Sequence, residues 1–226
     1  MNTLMMEPLF YIYFMYGASF MAMSLLLVGG IMRGSSLTLV SSFYMLVFFG
    51  VTHGITEMTD WVRFTSDRLG YGNNDFLLYV SQIFMIISFV FLLQFAVNLL
   101  SYKSEKKNII RTIPIILIIA YLAIVYSMGI SDIRQIGLFA RYVFGFTGSA
   151  LSAILLYQQG TAMKPLGNKK LVAGFLVSAA GFGLYAVCGG LIISPLFGLP
   201  IQLYRALCAL MIAVASWAVI DVFKVE

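Results

Sequence analysis

Seven long apolar stretches account for most of the chain, and very little charge interrupts them. They run over about 9–32, 37–60, 76–101, 112–130, 137–158, 171–193 and 201–223. A helix of about 20 apolar residues matches the ~30 Å hydrocarbon core of a bilayer. The stretches are continuous and rich in Leu, Ile, Phe and Met, not alternating, so they predict helices and not the strands of a membrane barrel. The expected fold is therefore all-α: a polytopic membrane protein, one domain over residues 1–226, with seven transmembrane helices. The first stretch is too long for a signal-peptide core and no small-residue cleavage site follows it, so it reads as a retained helix.

Composition narrows the function classes. The sequence is 61% hydrophobic and 10% charged, where a soluble domain carries about a quarter charged residues. A net charge of +5 does not make such a chain a nucleic-acid binder, because the basic residues lie in short loops between apolar runs. No room remains for a soluble catalytic domain, so the chain is not expected to be an enzyme; any kinase or other catalytic domain lies outside these residues. Arg33, Lys103, Lys106, Lys107, Arg111, Lys164, Lys169, Lys170 and Lys224 fall on one side of the predicted bundle. Loops on the other side mix Asp60, Asp67, Asp75 and Asp132 with Arg63, Arg68 and Arg134, and Glu7 precedes the first helix. The excess of Lys and Arg in cytoplasmic loops predicts an outside N-terminus and a cytoplasmic C-terminus. The expected location is the inner, cytoplasmic membrane, crossed several times. The segment 61–75 is expected to form a small external cap.

Ionisable groups inside the apolar runs mark the chemistry. Each costs about 2.5–3.5 kcal/mol at mid-membrane on insertion scales, so each needs a partner or a purpose. His53, Glu57 and Asp60 are spaced four and three apart, on one helical face. Depth counted along the helices puts Glu57, His53, Arg141 and Arg205 in one layer near the outer surface, with Tyr142, Gln202 and Tyr204 as neighbours. Three small-residue stripes predict buried seams: Arg141, Gly145, Gly148 and Ser152; Gly174, Ser178, Gly181 and Tyr185; and Arg205, Ala209, Ala213 and Ser216. Two readings follow. Glu57 pairs with Arg141 or Arg205 as a structural stitch, or the layer is an outward pocket whose arginines meet an anionic or polar head group. Asp221 is expected to pair with Lys224 or face water, and Gln94 with Asn98 to bond between helices.

No cofactor is expected, with a lipid or a metal as the alternatives. A zinc or copper set would draw on His53, Glu57, Cys188 and Cys208. One histidine cannot supply both axial ligands of a membrane b-type haem, and no mid-membrane lysine is available for a retinal Schiff base. Gly181-Phe-Gly183 mimics a dinucleotide fingerprint but lies inside an apolar run, and reads as helix packing.

Three segments carry a resemblance: His53-Gly-Ile-Thr-Glu57-Met-Thr-Asp60-Trp61, Arg141-Tyr-Val-Phe-Gly145-Phe-Thr-Gly148 and Leu199-Pro-Ile-Gln-Leu-Tyr-Arg205-Ala. They resemble the N-terminal seven-helix membrane-sensing region of bacterial and archaeal sensor histidine kinases and related PAS-domain signalling proteins. The likeness spans the chain by layout. It implies a sensory input domain whose last helix leads to cytoplasmic signalling modules, with a homodimer or a cytoplasmic signalling protein as partner beside the lipid bilayer and a small ligand. This chain ends at 221–226, so either the region continues in a longer protein or the signal passes to a separate one. The rival expectation is a small membrane carrier for an amphiphile. Ionisable residues are nearly absent from the inner halves of the second, fifth, sixth and seventh predicted helices, which disfavours coupled ion transport.

Overall fold

A computed structural model describes residues 8–33, 40–72, 74–102 and 104–222. Glu7, Lys103, Lys224 and the exit segment 223–226 lie outside the described residues. The described residues form helices α1 (Pro8–Met32), α2 (Val40–Arg68), α3 (Asp75–Ser101), α4 (Lys107–Arg111), α5 (Ile113–Ser127), α6 (Ile133–Ala140), α7 (Thr147–Met163), α8 (Lys169–Tyr185) and α9 (Ile201–Val222). A π-turn over Arg141–Phe146 joins α6 to α7, and a second, Ala186–Leu191, ends α8. No strand forms among the described residues; an isolated bridge pairs Leu196 with Leu199.

Among the described residues, six helical stretches are long and apolar enough to cross a membrane: Pro8–Met32, Asp75–Ser101, Lys107–Ser127, Ile133–Leu166, Lys169–Leu191 and Ile201–Val222. The expected second span is the exception, and its sequence explains why. The α2 helix is 29 residues long, and its charged side chains, Glu57, Asp60, Arg63, Asp67 and Arg68, all fall in its second half. At about 1.5 Å per residue it reaches about 43 Å, longer than a ~30 Å hydrocarbon core. The segment after Asp60 thus continues as helix to Arg68, where the sequence suggested a cap of loop. Thr65 Oγ1 bonds the Trp61 carbonyl within it at 2.8 Å, and Gly70 and Gly72, both at positive φ, make the turn that follows.

The helices close into a ring. In order around it, α1 packs on α2, α2 on α3, α3 on α7, α7 on α8, α8 on α9, and α9 back on α1. The α5 helix stands outside, against α3, and holds to α6 through Tyr121, whose hydroxyl donates to the Ile136 carbonyl at 2.7 Å. Its Ile115, Ile116, Ile119 and Leu122 are exposed, as suits a surface facing hydrocarbon.

Small residues let the ring close. All three stripes expected as seams are buried apart from Arg141, which is half-buried. A Cβ on Gly148 would lie 2.9 Å from the Leu93 backbone nitrogen, so α7 meets α3 at backbone contact. Ser24 bonds across from α1 to the Val47 carbonyl of α2 at 2.9 Å, and Ser178 and Ser216 meet at 3.3 Å between α8 and α9. Asp221 bonds Lys170 at 3.0 Å, joining α9 to α8, and Gln94 donates to Asn98 at 2.9 Å along α3, within one helix.

Candidate functional site

The α2 helix is the source of the site. His53 lies at its centre, buried inside the ring, where Phe20, Phe49 and Phe89 surround the imidazole at 4.5–5.3 Å between ring centroids. A polar ring in such a shell must have its nitrogens satisfied, and four helices supply the partners. Tyr185 of α8 and Tyr16 of α1 place their hydroxyls 3.0 and 3.2 Å from Nε2, and Ser88 of α3 lies 2.9 Å from Nδ1. One turn outward, the buried Glu57 carboxylate approaches Nε2 at 3.5 Å.

The two arginines take up different partners from the ones the sequence suggested. Arg205, buried on α9, donates from Nε to the Cys188 carbonyl at 2.7 Å and from Nη2 to the Ile192 carbonyl at 2.8 Å. Arg141 donates from Nη1 to the Gly189 carbonyl at 2.8 Å, bonds the Met85 sulfur at 3.4 Å, and lies 5.8 Å over the Phe89 ring. A helix leaves its last carbonyls without partners, and its C-terminus carries partial negative charge. The guanidinium groups fill that role at the end of α8. The expected direct pair between Glu57 and an arginine is not formed: among the described residues neither guanidinium has a carboxylate within 4.0 Å, and the side chain that Glu57 approaches is the His53 imidazole.

Above this layer opens a cavity of about 260 Å³. Glu57 and Asp60 line it from α2, Gln82 and Met85 from α3, Arg134 and Arg141 from α6 and its π-turn, and Gln202 and Arg205 from α9. Tyr13, Asp60 and Arg134 are shared with a wider vestibule of about 480 Å³ that includes Arg63, Phe64 and Asp67. Asp60 pairs with Arg63 at 3.3 Å, and Gln202 donates to the Tyr13 hydroxyl at 3.1 Å. The cavity and the vestibule therefore adjoin, and Glu57 lines the cavity with the His53 cluster as the floor beneath it.

Of the residues picked out in the sequence, Glu57, Asp60, Arg141, Gln202 and Arg205 line the cavity. His53 lies beneath it. Tyr142 is 38% exposed and is not among the lining residues. Being next to Arg141 in sequence, it projects about 100° away around the helix. Tyr204 donates to the Leu196 carbonyl at 3.1 Å and belongs to the neighbouring turn. Tyr13, Gln82 and Arg134 are cavity residues the sequence reading missed, and Tyr16, Ser88 and Tyr185 are missed members of the floor. Tyr185 did carry a signal, as the last residue of a small-residue stripe. Cys188 and Cys208 are free and buried, and no three His, Cys, Asp or Glu side chains among the described residues gather as metal ligands. The zinc or copper set of His53, Glu57, Cys188 and Cys208 is not assembled.

No protein-family model, no curated protein and no solved structure matches this chain.

Proposed function

We propose that this is a membrane-embedded sensory input domain that binds a small anionic or amphiphilic ligand in the cavity above His53. The reading takes α2 as a seventh span, the cavity end as the outer face and the C-terminus as cytoplasmic. The place of α2 in the closed ring supports the span count. Arg111, Lys164, Lys169 and Lys170 at the opposite end from Asp60, Arg63, Asp132 and Arg134 support the orientation.

One observation carries the reading: the guanidinium groups of Arg141 and Arg205, with no carboxylate within 4.0 Å among the described residues, line a cavity. Buried charge is normally paired. An anion entering the cavity would supply the pairing, and bidentate contact with a guanidinium is the strong form of that bond. Arg205 also ties α9 to the end of α8, so a ligand that engages it acts on the contact between those helices. A ligand shifts the equilibrium only by its differential affinity for the two states, and the carbonyl bonds of Arg205 are where that difference would arise. Movement of α9 is then read beyond Asp221, by signalling modules of the two-component type or by a partner protein, in a homodimer of an inner-membrane protein.

The carrier reading requires access from both sides. Beneath the cavity His53, Phe20, Phe49 and Phe89 are buried and packed against one another, which favours the sensor. A purely structural role as caps of α8 is the competing account of the arginines, and it is separable by experiment. Native mass spectrometry of gently purified wild type, Arg141→Ala and Arg205→Ala should show a defined adduct in the wild type and its loss from both variants. Mixed bulk lipid, equal in all three, would sink the sensor reading and leave the caps.

A further inference from the structure

The cavity is lined by both signs of charge, and they come from different sides of the ring. Arg141 and Arg205 enter from the π-turn after α6 and from α9, the elements flanking α8; Glu57 and Asp60 enter from α2. Each arginine has five N–H donors. Arg141 gives one to a carbonyl and one to a sulfur, and Arg205 gives two to carbonyls, so both keep donors for a ligand. On the acid side, the ion-pair contact of Glu57 is a histidine at 3.5 Å, inside a shell of tyrosine hydroxyls and phenyl rings. That carboxylate is 5% exposed and has no Lys or Arg within 4.0 Å among the described residues. Two guanidinium groups without a carboxylate thus stand in the same cavity as a buried carboxyl group without a cationic side chain beside it. Collapse of the arginines onto Glu57 would satisfy both, and the carbonyls of Cys188, Gly189 and Ile192 hold the guanidinium groups away from it.

We infer that the cavity takes a small zwitterion, its anionic group on Arg141 and Arg205 and its ammonium group on Glu57 with Asp60. This inference rests on the ligand-pocket reading above and names the ligand's chemical class. The volume agrees: about 260 Å³ holds roughly eight or nine waters at ~30 Å³ each, the size of an amino-acid-like molecule or of one lipid head group without its tails. The polar wall of Gln82, Gln202 and Tyr13 offers neutral hydrogen bonds between the two charged ends.

The test is a titration of the detergent-purified full chain followed by thermal unfolding. The probes are three zwitterions of increasing charge separation (glycine, β-alanine and γ-aminobutyrate), phosphoethanolamine, and the single-charge controls acetate and methylammonium. At least one zwitterion should bind tenfold or more tightly than either control. Glu57→Gln should bring that zwitterion to the level of acetate while leaving acetate binding intact, and Asp60→Asn, less buried, should do so in part. Repeating the titration in nanodiscs of phosphatidylglycerol and of phosphatidylethanolamine distinguishes the source. Binding blocked only by phosphatidylethanolamine assigns the site to a lipid head group, and binding equal in both assigns it to a free solute. Acetate binding as tightly as every zwitterion would overturn the zwitterion while leaving an anion sensor standing. No response to any probe would overturn both.

Discussion

His53 is the chain's only histidine, and its contact with Ser88 predicts how the neutral ring is protonated. The Ser88 hydroxyl donates its one proton to the Met85 carbonyl at 2.7 Å, so toward Nδ1, 2.9 Å away, it can only accept. With that proton on Met85, Nδ1 is expected to carry the ring proton and Nε2 to accept from the Tyr185 and Tyr16 hydroxyls at 3.0 and 3.2 Å. Truncating the two sides therefore has unequal consequences. Ser88→Ala strands a buried N–H with no acceptor, a loss of about 1–3 kcal/mol. Tyr185→Phe leaves Nε2 with Tyr16 as donor and removes one ordinary hydrogen bond, about 0.5–1.5 kcal/mol. At about 2–4 °C per kcal/mol for a chain of this size, Ser88→Ala should lower Tm by roughly 2–12 °C and Tyr185→Phe by roughly 1–6 °C. Uniform ¹⁵N-histidine labelling reads the ring directly, since it gives the spectrum of one residue. The wild type should show a protonated Nδ1 and a bare Nε2, and Ser88→Ala should lose that preference. A wild-type ring protonated on Nε2, or a larger loss from Tyr185→Phe than from Ser88→Ala, would refute the network as described.

Gly148→Ala should destabilise by about 1–3 kcal/mol, because the new methyl meets the Leu93 backbone and α7 cannot yield without leaving α3; thermal unfolding in detergent checks it, and an unchanged Tm would contradict the backbone contact. Phe197 and Gly198 both have positive φ in the turn closed by the Leu196–Leu199 bridge, and Phe197 is 89% exposed. Asn tolerates that conformation far better than Phe, so Phe197→Asn should raise stability by about 0.5–1 kcal/mol, and a fall in Tm would mean the ring makes a contact of its own. Lys170→Ala removes a 3.0 Å bond to Asp221 from a lysine that is 56% exposed, so its cost should stay within about 1 kcal/mol and shrink with added salt. A salt-independent loss of several kcal/mol would show that this pair is shielded from solvent.

The parts of the site legible in the sequence are those that break the strongest local rule. An ionisable residue inside an apolar run is conspicuous because it is costly there, and Glu57, Arg141 and Arg205 stood out for that reason and reached one cavity. Tyr16 and Tyr185 broke no rule. Tyrosine occurs thirteen times in this chain, and its amphipathic ring is at home at interfaces, in cores and against lipid alike. Ser88 is invisible for a related reason, since a serine inside a membrane helix can bond its own helix backbone at no penalty. The end of α2 was misjudged because charge after Asp60 reads as loop in a membrane chain, although Trp61–Arg68 has no helix breaker and the first Gly comes at Gly70. The partners of Arg141 and Arg205 were beyond the sequence altogether. A carboxylate is a lettered partner; a backbone carbonyl is present at every position, and only the fold says which ones lack a donor.

The two π-turns explain why those carbonyls needed side-chain donors. A π-turn widens the helix by closing i→i+5 bonds, as Ile192 N to the Val187 carbonyl does at 2.9 Å, and it interrupts the regular ladder. Here the turn at Ala186–Leu191 is also the end of α8, where carbonyls are short of partners already. The facing π-turn, Arg141–Phe146, begins with the residue that answers it: Arg141 bonds Gly189, while a Cβ on Gly190 would lie 2.8 Å from Phe146. An α-helical path through 141–146 would rotate Arg141 relative to α7, since one residue more or less turns a helix by about 100°. The widened turns, the close approach at Gly190 and the arginine caps are thus one arrangement. It fixes two cations at the mouth of the ring without using a carboxylate to hold them, and so leaves Glu57 and both guanidinium groups available to whatever enters the cavity.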